Sequence, residues 1–483
     1  VCIEHREKVK SNNQPQYWIP LVDLSNLILE QSTQSLQCYI DATCKELCNN
    51  DSLGTNKNVK KFNSIDSLLR AFKVSMKFDN LLNDDGTRRR VLMQVLEKLV
   101  SFAYKLMSKK NELGDEDVVK TVLMVVSIVA ESHNFLDEPN GKDIVEKIVS
   151  IFWGIFSVYS TREPTINGQA EKVTCQFIRS LSREHFQNVY ESTHGILRKL
   201  ILKPKPGDID TVIILIDIMI RESKNANRLI VKKNLSLLIS HLCNIDQCET
   251  SDNTIIRVLS IFTYLCTQRD FISLSLEIAG VTSTVHSLLS NYDSREQRNS
   301  ASIFNSACDL LHAMFKYRRS EIMRTLPPVT AIIYILLNAF KRPSTSSLSS
   351  ETLTFRTKLN ISSLSGEVTI KSAQKLARLF AEIPQETTSA SSTSEDNRTR
   401  SSELSKAFKK HVSFILIEYM KVLVEGIENK VKETLNIGLF SLMDLCTEHE
   451  RDLVMSSLGR VAQTVFKEFW AEYVKEWKYT GKA

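Results

Sequence analysis

Apolar residues recur at spacings of three and four along most of this 483-residue chain, interrupted by short polar turns. That period is the mark of helices that bury one face. The pattern predicts a helix pair or one long helix over residues 17–48, and helices over 62–82, 88–108, 114–133, 141–160, 169–200, 208–222, 226–244, 252–268, 270–290, 296–317, 327–341, 369–382, 404–427, 430–446 and 448–477. Turns such as NDDG at 83–86, DEPNG at 137–141 and KPKPGD at 203–208 punctuate them, because proline and glycine forbid helical continuity. TVIILIDIMI at 211–220 is apolar nearly all round. Its β-branched density admits a strand, but its helical surroundings favour a helix covered on all sides. The last stretch, 447–478, opens on Thr447 with Glu450 three residues later, a capping box. From there Val454, Leu458, Val461, Val465, Phe469 and Tyr473 predict the inner face of one long helix, with Arg460, Lys467 and Lys478 on its outer side.

No strict repeat is present, only the rhythm of helix, turn, helix. Held over more than 300 residues, that rhythm predicts an all-α fold, a right-handed α-solenoid of armadillo/HEAT-like stacked helical pairs. Residues 343–365 and 384–403 break it: both are Ser/Thr-rich, and the second holds no large apolar residue. They cannot bury enough surface to offset chain entropy and are expected to be flexible loops, although LTFRTKLNI at 353–361 alternates like a short strand or extended segment. The expected organisation is a helical-repeat region over 1–342, the two loops flanking one helix over 343–403, and a three-helix cap over 404–483.

Composition agrees with the helical reading. Glycine is 14 of 483 residues and proline 10, both below the roughly 7% and 5% of ordinary proteins and fewer than a turn-rich β fold requires. The formal net charge of +6 is mildly basic and does not by itself mark a nucleic-acid-binding domain. The ten cysteines are spread thinly, several inside apolar helical patterns (Cys243, Cys266, Cys308, Cys446), and read as packed free thiols of a reducing compartment. No apolar run reaches the length of a membrane span. The chain begins at Val1, so it reads as a fragment or a trimmed chain.

The search for chemistry finds no dinucleotide fingerprint, phosphate loop, nucleophile elbow or zinc-protease motif. Cys38, Cys44 and Cys48, and likewise His241, Cys243 and Cys248, lack metal-knuckle spacing. No catalytic residue, metal or cofactor is expected. Basic clusters are more informative. Lys316, Arg318, Arg319, Lys341 and Arg342 close helices, where the helix dipole welcomes cations. Arg88, Arg89, Arg90, Lys406, Lys409 and Lys410 sit near predicted helix starts, where it opposes them. With Arg460, Lys467 and Lys478, these are the candidate contacts for RNA or an acidic partner.

Four segments of the C-terminal third, in order, resemble the nucleolar family called unhealthy ribosome biogenesis protein two, or nucleolar pre-ribosomal-associated protein two. They are KSAQKLARLFAEI at 371–383, KKHVSFILIEYMKVL at 409–423, VKETLNIGLFSLMDLC at 431–446 and LGRVAQTVFKEFWAEYVKEWKYTGK at 458–482. The matched positions are Lys410, Leu416, Glu418 and Tyr419; Leu435, Gly438, Leu439, Leu442 and Asp444; and Gly459, Arg460, Phe466, Lys467, Tyr473, Lys475, Trp477 and Lys478. Lys432, Trp470 and Gly481 depart from the family pattern. The resemblance implies a non-enzymatic scaffold in the nucleus and nucleolus. It would act in early large ribosomal subunit assembly and precursor rRNA processing, with a larger helical assembly factor and a DEAD-box helicase as partners. The alternative is an armadillo-like protein-binding adaptor with no ribosomal role. Gly438 is expected to serve close helix packing.

Overall fold

The computed structural model describes residues 86–108, 116–131, 136, 141–159, 164–203, 208–245, 251–268, 270–272, 275–292, 299–342, 359, 361, 364, 366–384 and 395–478. The expected helices over 17–48 and 62–82, and the Cys38, Cys44 and Cys48 group, lie outside these residues. Among the described residues every regular element is helical. Two compact units divide the chain at Tyr190/Glu191, and within each the helices stack in the pairwise manner of an α-solenoid.

The first unit holds α1 (Gly86–Ser108), α2 (Glu116–Glu131), α3 (Gly141–Tyr159), α4 (Pro164–Ser180) and the start of α5 (Arg183–Leu202). Helix α1 lies on α3 and α2 on α4. Phe152 of α3 stacks on Phe156 and meets Phe177 of α4 at a tilt, at ring separations of 6.3 and 5.7 Å. Gly154 brings α3 close to Met107 of α1.

The second unit continues with α6 (Asp208–Glu222), α7 (Asn225–Lys233), α8 (Leu235–Cys243), α9 (Asp252–Thr267), α10 (Ser275–Asn291) and α11 (Ser300–Tyr317). After them come α12 (Arg319–Ile322), α13 (Leu326–Asn338), α14 (Gly366–Glu382), α15 (Glu395–Glu425), α16 (Asn429–Met443), α17 (Glu448–Ser457) and α18 (Arg460–Tyr473). One row runs α6–α9–α11–α14–α16, each helix against the next; the other runs α8–α10–α13–α15 and is closed by α17 and α18.

TVIILIDIMI is a helix, the interior of α6, and residues 211–220 are all buried. Its one charge, Asp217, is matched from two helices. Arg221 Nε donates at 2.6 Å and Arg257 of α9 at 3.1 Å, which is what a buried carboxylate requires.

Three long predicted helices are broken and a fourth is shortened. The helix expected over 169–200 is two, separated at Leu181–Ser182. The one over 226–244 breaks at Asn234, whose side-chain amide turns back to Ile230 O at 3.0 Å. The one over 270–290 starts only at Ser275, after a turn in which Phe271 and Ile272 are buried. The one over 448–477 breaks at Leu458–Gly459. A one- or two-residue break hardly disturbs apolar spacing, so periodicity alone runs through it. Ser, Asn and Gly at these points offer the backbone non-helical alternatives.

The Ser/Thr-rich stretches are also less empty than their composition predicts. Leu359 and Ile361, two apart in the alternating segment, are both buried. Ile361 N donates to Ala339 O at 3.0 Å, and Ile361 O accepts from Thr369 Oγ1 at 3.0 Å. The second stretch ends inside α15, which begins at Glu395, nine residues before the helix start read from the sequence.

Candidate docking surface of the C-terminal helices

Gly438 sits where α16 crosses α14. A Cβ there would lie 2.3 Å from the carbonyl oxygen of Ala377 and 2.6 Å from its Cα, so only hydrogen fits. This joins two of the four family-like segments. The others are joined by polar bonds set in an aromatic cluster. Tyr419 of α15 is fully buried and donates to Asn436 Oδ1 of α16 at 2.7 Å. Burial, followed by the charge of Glu472, raises its phenol pKa. Asp444, just past α16, accepts from Tyr473 Oη at 2.8 Å and from Trp477 Nε1 at 3.1 Å. Burial and then the bond and charge of Asp444 raise the Tyr473 pKa. Around them Phe440 contacts Phe469, Tyr473 and Trp477 at 5.2, 5.8 and 6.3 Å, and Phe469 meets Tyr419 edge-on at 5.7 Å. Such contacts add about 0.5–1.5 kcal/mol each beyond burial. Tyr419, Gly438, Asp444, Tyr473 and Trp477 therefore hold the region together. Trp470, a departure from the family pattern, packs on Phe466 and Tyr473, with Arg451 5.9 Å above its ring.

The capping box at the start of α17 is present: Glu450 Oε2 accepts from Thr447 N at 2.9 Å and from the Thr447 hydroxyl. These bonds, led by the hydroxyl, lower the Glu450 pKa. Past the break at Gly459 the inner face of α18 is Ala462, Phe466, Phe469 and Tyr473. The expected inner residue Val461 is 67% exposed. The break resets the rotation of everything after it, and the apolar series read as one stripe belongs to two helices. Beyond Tyr473 the chain makes a π-turn over Val474–Lys478.

Of the candidate basic contacts, Arg460, Lys467 and Lys478 are exposed. Arg88, Arg89 and Arg90 fall in the first turns of α1, with side chains outside the described residues. Lys406 and Lys410 are exposed on α15. Lys409, by contrast, turns toward α17 and pairs with Glu450 at 3.9 Å. The outer strip of α15 contains a residue that the reading by charge passes over: Phe414, 48% exposed, one turn beyond Lys410. The repeated step of four through positions 406, 410 and 414 is visible in the sequence. What hides it there is that Phe414 reads as one more core residue among Phe408, Val412 and Ile415, all of which are buried.

The cations closing α11 have different fates. Arg318 is 5% exposed and reaches across to the end of α9. Its Nε donates to Cys266 O at 2.9 Å, Nη1 to Ile272 O at 2.9 Å, and Nη2 to Gln268 O. It caps a neighbouring helix and not its own. Arg319 Nε bonds Phe315 O at 2.9 Å. Among the described residues no group of three or more His, Cys, Asp and Glu side chains is placed to hold a metal ion, and no helix is long and apolar enough to cross a membrane. What the exposed side of α15 does present is cations and one aromatic, Lys406, Lys410 and Phe414, on a single helix.

The sequence model of the Urb2/Npa2 family, a family associated with ribosome biogenesis, matches residues 256–482. No curated protein sequence matches the chain. Among solved structures, it is similar to a circular tandem repeat protein with novel repeat topology and enhanced subunit contact surfaces (11% identity, 94% of this chain and 96% of that chain, TM-score 0.24). It is also similar to an engineered protein (12%, 76% and 98%, TM-score 0.18) and to the structure of APUM23-GGAUUUGACGG (11%, 92% and 98%, TM-score 0.15). At these TM-scores the likenesses carry no argument.

Proposed function

We propose, from the Urb2/Npa2 character of residues 256–482, that this chain is a non-enzymatic assembly factor of the nucleolus. In this reading it acts as a helical scaffold in early large ribosomal subunit biogenesis and precursor rRNA processing. One observation carries the reading: residues at the family-like positions tie the four C-terminal segments together, Gly438 against Ala377, Tyr419 to Asn436, and Asp444 to Tyr473 and Trp477, the last two contacts joining family-like positions at both ends. A family pattern of this kind preserves a rigid stack of helices whose outer faces are left for partners. Its work is then to hold other molecules in place, here pre-ribosomal components. A larger helical assembly factor and a DEAD-box helicase are the proteins that the family resemblance offers as companions. Arg460, Lys467 and Lys478, exposed on the closing helix and its π-turn, and Arg88, Arg89 and Arg90 on α1 are kept as candidate contacts for RNA or an acidic partner.

The test is purification of the tagged chain from cells under mild conditions, with sequencing of the bound RNA. Large-subunit precursor rRNA should be enriched over mature rRNA. Recovery of protein partners without that precursor would overturn the reading in favour of a protein-binding adaptor.

A further inference from the structure

We propose that the outer strip of α15 binds single-stranded RNA, with Lys406 and Lys410 on consecutive phosphates and Phe414 stacked on a base. The inference deepens the assembly-factor reading and rests on it for the RNA that the strip meets in the cell. Lys406, Lys410, Phe414, Lys421 and Val424 are the exposed residues of one side of α15, with Glu403 and Glu425 at its ends. At 1.5 Å per residue, a step of four residues advances about 6 Å along the helix, a stride that successive phosphates of an extended strand can follow.

The strip differs from an ordinary solvated face in three respects. First, among the described residues two of its three lysines, Lys406 and Lys410, are in no ion pair. Lys409, between them in sequence, pairs with Glu450. Second, they stand mid-helix: α15 begins at Glu395, not near 404, so the opposing dipole expected from the sequence does not reach Lys406 and Lys410, and neither helix end supplies them with a counter-charge. Third, an exposed phenylalanine on a fully helical, well-buttressed segment keeps a large apolar face in water. Beneath it Phe408, Val412, Ile415 and Leu416 are all buried and fix its backbone. A cationic track with an aromatic on a rigid support is the minimal platform for single strands, in which charge follows the backbone and any base can stack. Lys421 adds a weaker contact, since Glu418 Oε2 already lies 3.2 Å from its Nζ. From Lys406 to Lys421 the strip is about 22 Å long at helical rise, room for a few nucleotides. Polyglutamate would use the lysines but offers Phe414 no ring to stack on, so the aromatic contact separates RNA from simple polyanion binding.

The test uses the whole chain and fluorescein-labelled oligouridylate, with anisotropy read across a salt series and polyglutamate as the competing anion. The double variant Lys406→Gln/Lys410→Gln should bind at least about tenfold more weakly, and its salt slope should fall by roughly 0.7 per lost contact. Phe414→Ala should weaken binding about five- to tenfold with the slope unchanged; Phe414→Trp should restore it. All three positions are exposed, so unchanged unfolding midpoints establish that folding is not the cause. No binding of the oligonucleotide by the unaltered chain, an unchanged slope in the double variant, or tighter capture of polyglutamate than of RNA would each overturn the proposal. The two readings fail separately. Cellular association with precursor rRNA that survives these substitutions sinks the strip alone. Loss of that association in the unaltered chain, with oligonucleotide binding intact, sinks the assembly role alone.

Discussion

Two clusters of cations, Lys316 to Arg319 at the end of α11 and Lys406 to Lys410 on α15, look alike as text and serve opposite ends in the molecule. In the first, Arg318 is drawn inside and spends its donors on carbonyl groups of Cys266, Gln268 and Ile272, around the end of α9. In the second, Lys406 and Lys410 remain in water beside an exposed Phe414. The difference follows from what lies across from each. A helix C-terminus presents carbonyls with no partner of their own and a partial negative charge, and a guanidinium can satisfy several at once. Among the described residues, the exposed side of α15 faces no such terminus. A basic cluster thus acquires a role from the neighbour the fold supplies.

The strongest way to break this contrast is at Arg318. Arg318→Ala should lower stability by about 3–5 kcal/mol, because buried carbonyls lose a charged donor; Arg318→Lys should recover only part, since an ammonium cannot span three divergent acceptors. Urea unfolding reads both. Gly438→Val comes next, at about 3 kcal/mol or more, because the added carbons meet the Ala377 backbone and α14 must move. Asp444→Ala should cost roughly 1–3 kcal/mol and shift Trp477 emission, as its indole loses an acceptor.

A pH titration probes another buried group. His194, against His241 at a ring separation of 5.5 Å, has its pKa lowered to about 4 by burial and then by the neighbouring imidazole. The unfolded chain takes up this proton near the ordinary value of 6.5, the folded chain only near 4. Stability should therefore rise with pH between those values, by roughly 1–3 kcal/mol from this residue. His194→Gln should flatten the rise; an unchanged profile would remove His194 as its cause. The smallest effect sharpens the comparison. Lys406→Gln/Lys410→Gln should change stability by less than about 0.5 kcal/mol, as expected of exposed side chains. A larger loss would show these lysines to be structural, like Arg318.

Much of the fold was legible along the chain. The α6 limits, Asp208–Glu222, match the expected 208–222, and the Thr447–Glu450 capping box is in place, because both rest on neighbours a few residues apart. The breaks at Ser182, Asn234 and Gly459 were not legible, since a short interruption leaves apolar spacing nearly intact. Phe414 shared its lettering with the core residues around it, and Arg318 its lettering with ordinary C-terminal cations.

What the sequence determined by itself is the helical class, the serial pairing rhythm and the likeness of the C-terminal segments to one family. These are carried by periodicity, composition and motif order, which do not depend on distant contacts. Only the tertiary structure decided that Gly438 must lack a side chain against Ala377, that Asp444 ties Tyr473 and Trp477, that Arg318 caps α9, and that Lys409 pairs with Glu450 while Lys406 and Lys410 are exposed. Each of these depends on which group stands opposite across a helix interface. Residues far apart in the chain meet there, and local spacing holds no record of it.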